Sequence, residues 1–340
     1  MAKAVCFGEV MMRLSPPGFE RILQAKSFIM QFGGAEANVA VSLANYGMDV
    51  SYVTKLPANA LGDTCRNEIR KYGVDVSGIV RGGERLGLFY CEKGASMRPS
   101  NVIYDRAGSS ISKASATDFD WPKLLLGADW FHFTGITPAL GDNVAAICVQ
   151  ACETAKAMGI PISCDLNYRK KLWSRDKAGQ VMSGLMPFVD LLIANEEDAA
   201  DVFGIHADGT NIADGKISEE GYRSVARQLV ARFGVKQVAI TLRESVSASD
   251  NGWSGLLYDG TGFYHSRHYD IRLVDRVGGG DAFGAGLIYG FLNKLGMREA
   301  LEFAVAASAL KQTVEGDFNM VGVKEVELLT GGNASGRVQR

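Results

Sequence analysis

No stretch of this chain approaches the ~18 consecutive apolar residues that a membrane-spanning helix requires. The opening Met1 to Val10 has a short apolar core with no cleavage site behind it, so no membrane role is expected. The chain also lacks an excess of either charge. Lys and Arg number 36 against 38 Asp and Glu, a formal net charge of −2, and basic residues occur only in short mixed runs such as Arg169-Lys170-Lys171. A polyanion needs a denser basic stripe than that, so nucleic acid is not an expected partner. The six cysteines include no Cys-x-x-Cys, and the four histidines are scattered with no pair at metal-ligand spacing. Reduced thiols in a cytoplasmic protein are expected. Cys148 and Cys152 fall one helical turn apart in "NVAAICVQACETAKAMG", whose apolar character assigns them to a core, and His132 in "DWFHF" reads as a satisfied core or rim imidazole. Neither a Gly-x-x-x-x-Gly-Lys-Ser/Thr loop nor a Gly-x-Gly-x-x-Gly turn after a strand is present, which argues against P-loop and dinucleotide-binding folds.

What the chain does have is 340 residues, 47% of them hydrophobic, enough for a substantial core. Short apolar runs, "AVCFGEV", "VSYVTKL", "WFHFTGI", "IPISCDLN", "VDLLIANE" and "KQVAITL", read as strands. Between them "AEANVAVSLANYG", "DTCRNEIRKYG", "NVAAICVQACETAKAMG" and "EGYRSVARQLVARFG" carry the 3.6-residue period of helices and end in glycine. Strand and helix in alternation predict an α/β fold, a mostly parallel sheet covered on both faces, with ligands at the carboxyl ends of its strands. Residues 11–33 and 86–108 break that rhythm with β-rich pieces, predicting a small second sheet discontinuous in sequence; edge hairpins of the main sheet are the alternative. The main unit is then 1–10, 34–85 and 109–330, and 331–340 is a frayed tail.

The stretch "DRVGGGDAFGAG", residues 275–286, places three glycines before one aspartate at the head of a helical segment. A helix start near Gly279 leaves unpaired amides at the positive end of the dipole, and Gly278, Gly279 and Gly280 let an anion approach them. A carboxylate beside such a nest has two readings. Asp281 is either a helix-start acid complementing the dipole, with Gly280, Gly284 and Gly286 serving helix packing, or a general base next to a phosphoryl group held by the nest.

"DRVGGGDAFGAG" resembles the carboxyl-terminal signature of the ribokinase-like (PfkB) carbohydrate kinases, and "QFGGAEANVAVSLANYG" their amino-terminal one; the resemblance runs from about residue 4 to 328. It implies a ribokinase-like α/β domain, a β-sheet lid made from the two interrupting segments and a candidate dimer contact, and transfer from ATP with Mg²⁺ to a sugar hydroxyl. Within the family, "VIYDRAGSS", "CDLNYRKKLW" and "TLRESVSASDNGWSG" are most similar to the kinases of 2-keto-3-deoxygluconate. The resemblance makes Asp281 the base and Gly278, Gly279 and Gly280 the anion hole. Gly33 and Gly34 would let the sugar lie against the backbone, with Tyr104 and Arg106 reaching it from the lid, Arg169 from a strand end, and Asp317 from the far side. Phe89 falls where an aromatic that hydrogen-bonds the sugar is expected; lacking a hydroxyl, it leaves that role to Tyr90 or to nothing. Asn167 and Asn195 lie on the nucleotide side. Asn195 also reads as the N-cap of a helix beginning "EEDAADVFG", and Asp198, short for the position, would reach Mg²⁺ through water. "TLRESVSASDNG" replaces a glycine-rich nucleotide loop, with Arg243, Ser245 and Ser247 as phosphate donors.

A planar guanidinium grips a carboxylate best, and Arg106 and Arg169 fall where lid and strand ends would meet, which favours a sugar acid over a neutral sugar. The expected reaction is ATP-dependent phosphorylation of 2-dehydro-3-deoxy-D-gluconate at its terminal hydroxyl, by a homo-oligomer. Two alternatives stand: a kinase of the same fold for fructose, ribose or another keto-deoxy acid, and a binding protein that has lost the chemistry.

Overall fold

In β1 (Lys3–Phe7), Ala4 and Cys6 enter one apolar core while Val5 and Phe7 enter another. Successive side chains of a strand point to opposite faces, so an unbroken apolar run is what a sheet covered on both sides demands. The computed structural model describes residues 2–207 and 219–333; the tail expected at 331–340 lies outside the described residues from 334 onward. Among the described residues the large sheet has ten strands. From one edge they run β13 (Phe263–His265), β12 (Asp250–Tyr258), β11 (Gln237–Ser245), β10 (Leu191–Ala194), β9 (Ile162–Asp165), β8 (Trp130–Thr134), β1, β4 (Asp49–Leu56) and β5 (Ile79–Arg81), with β14 (Tyr269–Arg272) also paired to β12. From β11 to β5 every pairing is parallel, and the three later strands add on antiparallel.

One face is covered by α1 (Ala35–Asn45), α2 (Ala60–Lys71), α8 (Gly279–Leu292), α9 (Met297–Lys311) and α10 (Val323–Thr330). The other carries α3 (Trp121–Leu124), α4 (Asp142–Ala157), α5 (Arg175–Leu185), α6 (Glu196–Phe203) and α7 (Glu219–Phe233). All six cysteines are buried and unpaired, Cys148 and Cys152 among the apolar side chains under α4. His132 is a core histidine: burial pushes its ring down to about 3, and Nδ1 meets the Ser163 hydroxyl at 2.8 Å. Among the described residues no helix is long and apolar enough to cross a membrane.

A separate four-stranded sheet, in the order β3 (Ile29–Gly33), β2 (Met11–Ser15), β6 (Leu88–Glu92) and β7 (Asn101–Asp105), is built from both segments that interrupt the alternation. It is fastened to the main body by Arg13. This fully buried guanidinium donates to Asp317 Oδ1 at 2.5 Å and to Asp275 Oδ2 at 2.7 Å, across more than 260 residues of sequence. Removing either partner would strand a charge away from water, so the joint holds the small sheet over the start of α8.

Candidate active site

The turn into α8 divides its glycines by use. Gly278, the N-cap, has φ +82°, and a Cβ there would fall 2.1 Å from the Asp317 carbonyl oxygen, so both backbone and space exclude a side chain. Farther along the helix, Gly286 and Gly290 press directly on Ala304 and Ala300 of α9, where a Cβ would come within 2.5 and 2.6 Å, and the packing role falls to them. Gly280 is different: nothing lies within 4 Å of its Cβ position. The expectation that all three glycine amides face an anion needs correction, since Gly279 donates its N–H to the Arg276 carbonyl at 3.3 Å. Among the described residues no acceptor meets the amides of Gly278, Gly280 and Asp281, which leaves a helix start open to an anion on the side that Gly280 clears.

Asp281 stands in the first turn of α8, partly open to solvent. Asn38 Nδ2 donates to its Oδ2 at 2.7 Å, while Asn38 Oδ1 accepts the Gly34 N–H at 3.3 Å and so fixes which end of the amide faces the acid. Burial, with the charge of Asp317, pushes the Asp281 carboxyl up to about 6 against the pull of Asn38, Arg169 and Lys311. A carboxyl in that range is ionised at neutral pH and basic enough to take a proton.

Two further acids gather at the strand ends. Burial, then the charges of Asp198 and Asp281, drive Asp165 at the end of β9 well above the usual carboxylate range. Burial likewise pushes Asp198 up to about 6. Arg169, half-buried, pulls all three down. The chain leaves β9 through Asn167, whose φ of +39° is rare for a residue with a side chain; beyond it the Tyr168 N–H donates to Asp198 Oδ1 at 3.0 Å while the Tyr168 ring packs into the core. Asn195 does cap α6, accepting the Asp198 N–H at 2.7 Å. Among the described residues no group of three or more ligating side chains forms a metal cage. Asp165 and Asp198 instead suit a hard divalent cation that takes one or two carboxylates and completes its shell with phosphate oxygens and water.

The residues expected from the small sheet converge only in part. Tyr104 sits 5.5 Å from the Arg106 guanidinium and 6.0 Å from Lys171 Nζ, so the small sheet does meet the loop that bears Arg169. Arg106, however, is not a free carboxylate clamp: its Nε and Nη2 both bind the buried Glu9, leaving Nη1 as the donor without a protein partner among the described residues. Asp317 is likewise drawn away from the sugar into the ion pair with Arg13, with 4% of its surface exposed. The missing side chains of Gly33 and Gly34 make room for protein, since a Cβ would lie 2.0 Å from Asp317 Oδ2 and 2.0 Å from the Glu9 carbonyl oxygen respectively. Phe89 pairs across the strands with Tyr104 and packs with Met11 and Cys91, whereas Tyr90 turns to the opposite face against Phe28 and cannot stand in for it.

On the nucleotide side the expected loop is a hairpin. Arg243 and Ser245 lie on β11, register partners of Trp253 and Asn251, and the Arg243 guanidinium stacks 5.5 Å from the Trp253 ring. Ser247 is used by its own turn, accepting the N–H groups of Ser249 and Asp250 at 3.0 Å each. The Ser247 hydroxyl is therefore not free for phosphate.

Four residues of this site carried no role in the sequence reading: Asn38, Glu9, Arg13 and Lys311. Asn38 had a signal, an asparagine inside a helix where it is a poor former, one turn beyond Gly34. Arg13 had another, a lone cation in the apolar strand "MMRLS".

The pattern of the pfkB family carbohydrate kinases matches residues 1–321. The chain is 48% identical to the 2-dehydro-3-deoxygluconokinase of Thermotoga maritima, whose crystal structure superposes with a TM-score of 0.94 over 97% of this chain and 98% of that one. It is 34% identical to the 2-dehydro-3-deoxygalactonokinase of Haloferax volcanii over 98% of both chains. To the 2-dehydro-3-deoxygluconokinase of Bacillus subtilis it is 30% identical over 95% and 93% of the two chains. A family pattern and a fold match across nearly the whole chain, joined to an aspartate set beside an open helix start, lead to one assignment: the chain belongs to the pfkB family of carbohydrate kinases.

Proposed function

We propose that this kinase transfers the γ-phosphoryl group of ATP to the terminal hydroxyl of 2-dehydro-3-deoxy-D-gluconate, giving the 6-phosphate and ADP. The observation that carries the reading is Asp281, a carboxylate held near 6 and oriented by Asn38 next to the open amides of Gly280 and Asp281. Asp281 takes the hydroxyl proton as the sugar oxygen bonds to phosphorus, and the bond from phosphorus to the ADP oxygen breaks. The amides receive the charge on the equatorial phosphoryl oxygens. Mg²⁺, when bound, neutralises phosphate charge, and Asp198, through water, with Asp165 would hold it. Arg106, with its free Nη1, and Lys171 flank Tyr104, and Arg169 lies two residues before Lys171, which supports a substrate carrying a carboxylate rather than a neutral sugar. Asn167 and Arg243 are then the chain's contacts toward the nucleotide.

ADP release measured across a sugar panel tests this. 2-Dehydro-3-deoxygluconate should be the best acceptor, and Arg169→Ala should lose rate with acids far more than with neutral sugars. Equal rates on fructose or ribose would reject the acid-sugar reading. The 4-epimer, 2-dehydro-3-deoxygalactonate, belongs in the same panel because a relative's name points to it.

The small sheet leaves Phe28, Ile29, Met30 and Ile103 39%, 42%, 50% and 47% exposed, which supports self-association through that sheet. Light scattering of the purified protein would show a dimer or larger, and a monomer would reject it. Six buried, unpaired cysteines support a cytoplasmic location.

A further inference from the structure

Beneath the anion-receiving turn lies a cation that the transfer just described does not use. Lys311, the last residue of α9, is fully buried. Its ammonium donates to the carbonyl oxygens of Gly316 at 2.6 Å and Asp275 at 3.2 Å, and lies 3.5 Å from that of Val314. Burial pushes Lys311 below the ordinary lysine range, Asp275 and Asp317 pull it back up, and three carbonyl acceptors facing one nitrogen favour the ammonium, which alone offers three hydrogens.

The carbonyls come from two different turns. Asp275 opens the turn that ends in Gly278 to Gly280, while Val314 and Gly316 belong to the turn after α9. The two turns touch at Gly278, where a Cβ would lie 2.1 Å from the Asp317 carbonyl oxygen and 3.2 Å from Lys311 Cε. Carbonyl dipoles brought together out of water repel unless a cation sits among them. In a trans peptide the N–H points opposite to its C=O, so the inward Asp275 carbonyl turns the Arg276 N–H outward, and Lys311 ties the head of this turn to the loop that packs against Gly278.

We propose that Lys311 is the positioning residue of the phosphoryl-receiving turn, an internal cation filling a carbonyl cage that would otherwise need a small monovalent ion. This rests on reading Gly278 to Asp281 as the phosphoryl site. It carries a consequence for the native protein: catalysis is indifferent to the monovalent cation in solution.

The test compares the full-length protein with Lys311→Met, which keeps the apolar stem and removes the charge. ADP formation is followed with tetramethylammonium, too large for the cage, as the sole monovalent cation, and ammonium or potassium is then titrated in. Wild type should change by less than about twofold, and Lys311→Met should lose about 10²-fold in kcat with little change in the KM for sugar. Ammonium or potassium should restore at least about tenfold of that loss, which a merely structural lysine would not allow. Activation of wild type by potassium overturns the proposal, and that arm does not depend on the variant folding. So does a Lys311→Met protein of normal kcat, or one that melts as wild type and no cation rescues. The same titration read through ATP binding by calorimetry tests the lysine whatever sugar is phosphorylated, whereas a wild type inactive on every sugar acid rejects the substrate reading alone.

Discussion

Asp281→Asn should act on chemistry and on folding in opposite directions, because the carboxylate proposed to serve the reaction also burdens the native state. The carboxyl is raised from the ordinary 3.8 to about 6, first by burial and then by the charge of Asp317. At about 1.4 kcal/mol per unit, a rise of about two units corresponds to at most ~3 kcal/mol. Asp281 keeps some contact with solvent, which reduces this to roughly 1–2 kcal/mol. The folded chain binds this proton more tightly than the unfolded chain, so the group favours folding when protonated. That contribution is complete below about pH 4 and is lost as pH rises through about 6. Asparagine keeps the shape, and its carbonyl oxygen accepts from Asn38, but it never ionises. The variant should therefore melt a few degrees above wild type at pH 8 and level with it near pH 4, at no more than about 2 °C per kcal/mol for a chain of this length. Turnover at pH 8, followed by coupled ADP release, should fall by at least ~10²-fold. Turnover within tenfold of wild type would refute the base, and an asparagine variant less stable than wild type at pH 8 would refute the strained carboxylate.

Three other perturbations probe what surrounds the base. Arg13→Met leaves Asp275 and Asp317 without their shared partner and should destabilise the protein by about 3–5 kcal/mol in urea, with a loss under ~1 kcal/mol arguing against a fastening role. The pH profile of kcat/KM should fall below about pH 6 as Asp281 is protonated; in Asn38→Ala the limb should move to higher pH, because the bond from Asn38 lowers the proton affinity of the acid, and an unmoved limb would break that link. Gly278→Ala forces a side chain into φ +82° and against the Asp317 carbonyl, so kcat should drop more than about tenfold with the sugar KM nearly constant, and normal turnover would show that the turn is not the phosphoryl site.

The alternation of apolar runs and periodic helices was enough to predict the parallel sheet, because burial on both faces leaves its mark on each strand separately, as Ala4 and Val5 show in β1. The helix start at Gly279 was equally local: glycine, then an acid, then an apolar helix. The β11–β12 hairpin was not visible in this way. The outer half of β11 is exposed and polar, so "TLRESVSASDNG" shows no apolar period and reads as loop, and only the pairing of Arg243 with the buried Trp253 makes it strand.

Charges were the residues least readable from composition and spacing. Sequence alone showed where an anion and a carboxylate could meet, since backbone amides and an aspartate at a helix start are determined by neighbours a few positions apart. Which cation and which carboxylate belong together was decided by tertiary structure. Arg106 spends its charge on Glu9, 97 positions away, and Arg13 binds Asp317 across 304 positions. In a dry interior a charge must find its partner wherever the fold brings one, and nothing in local sequence records that distance.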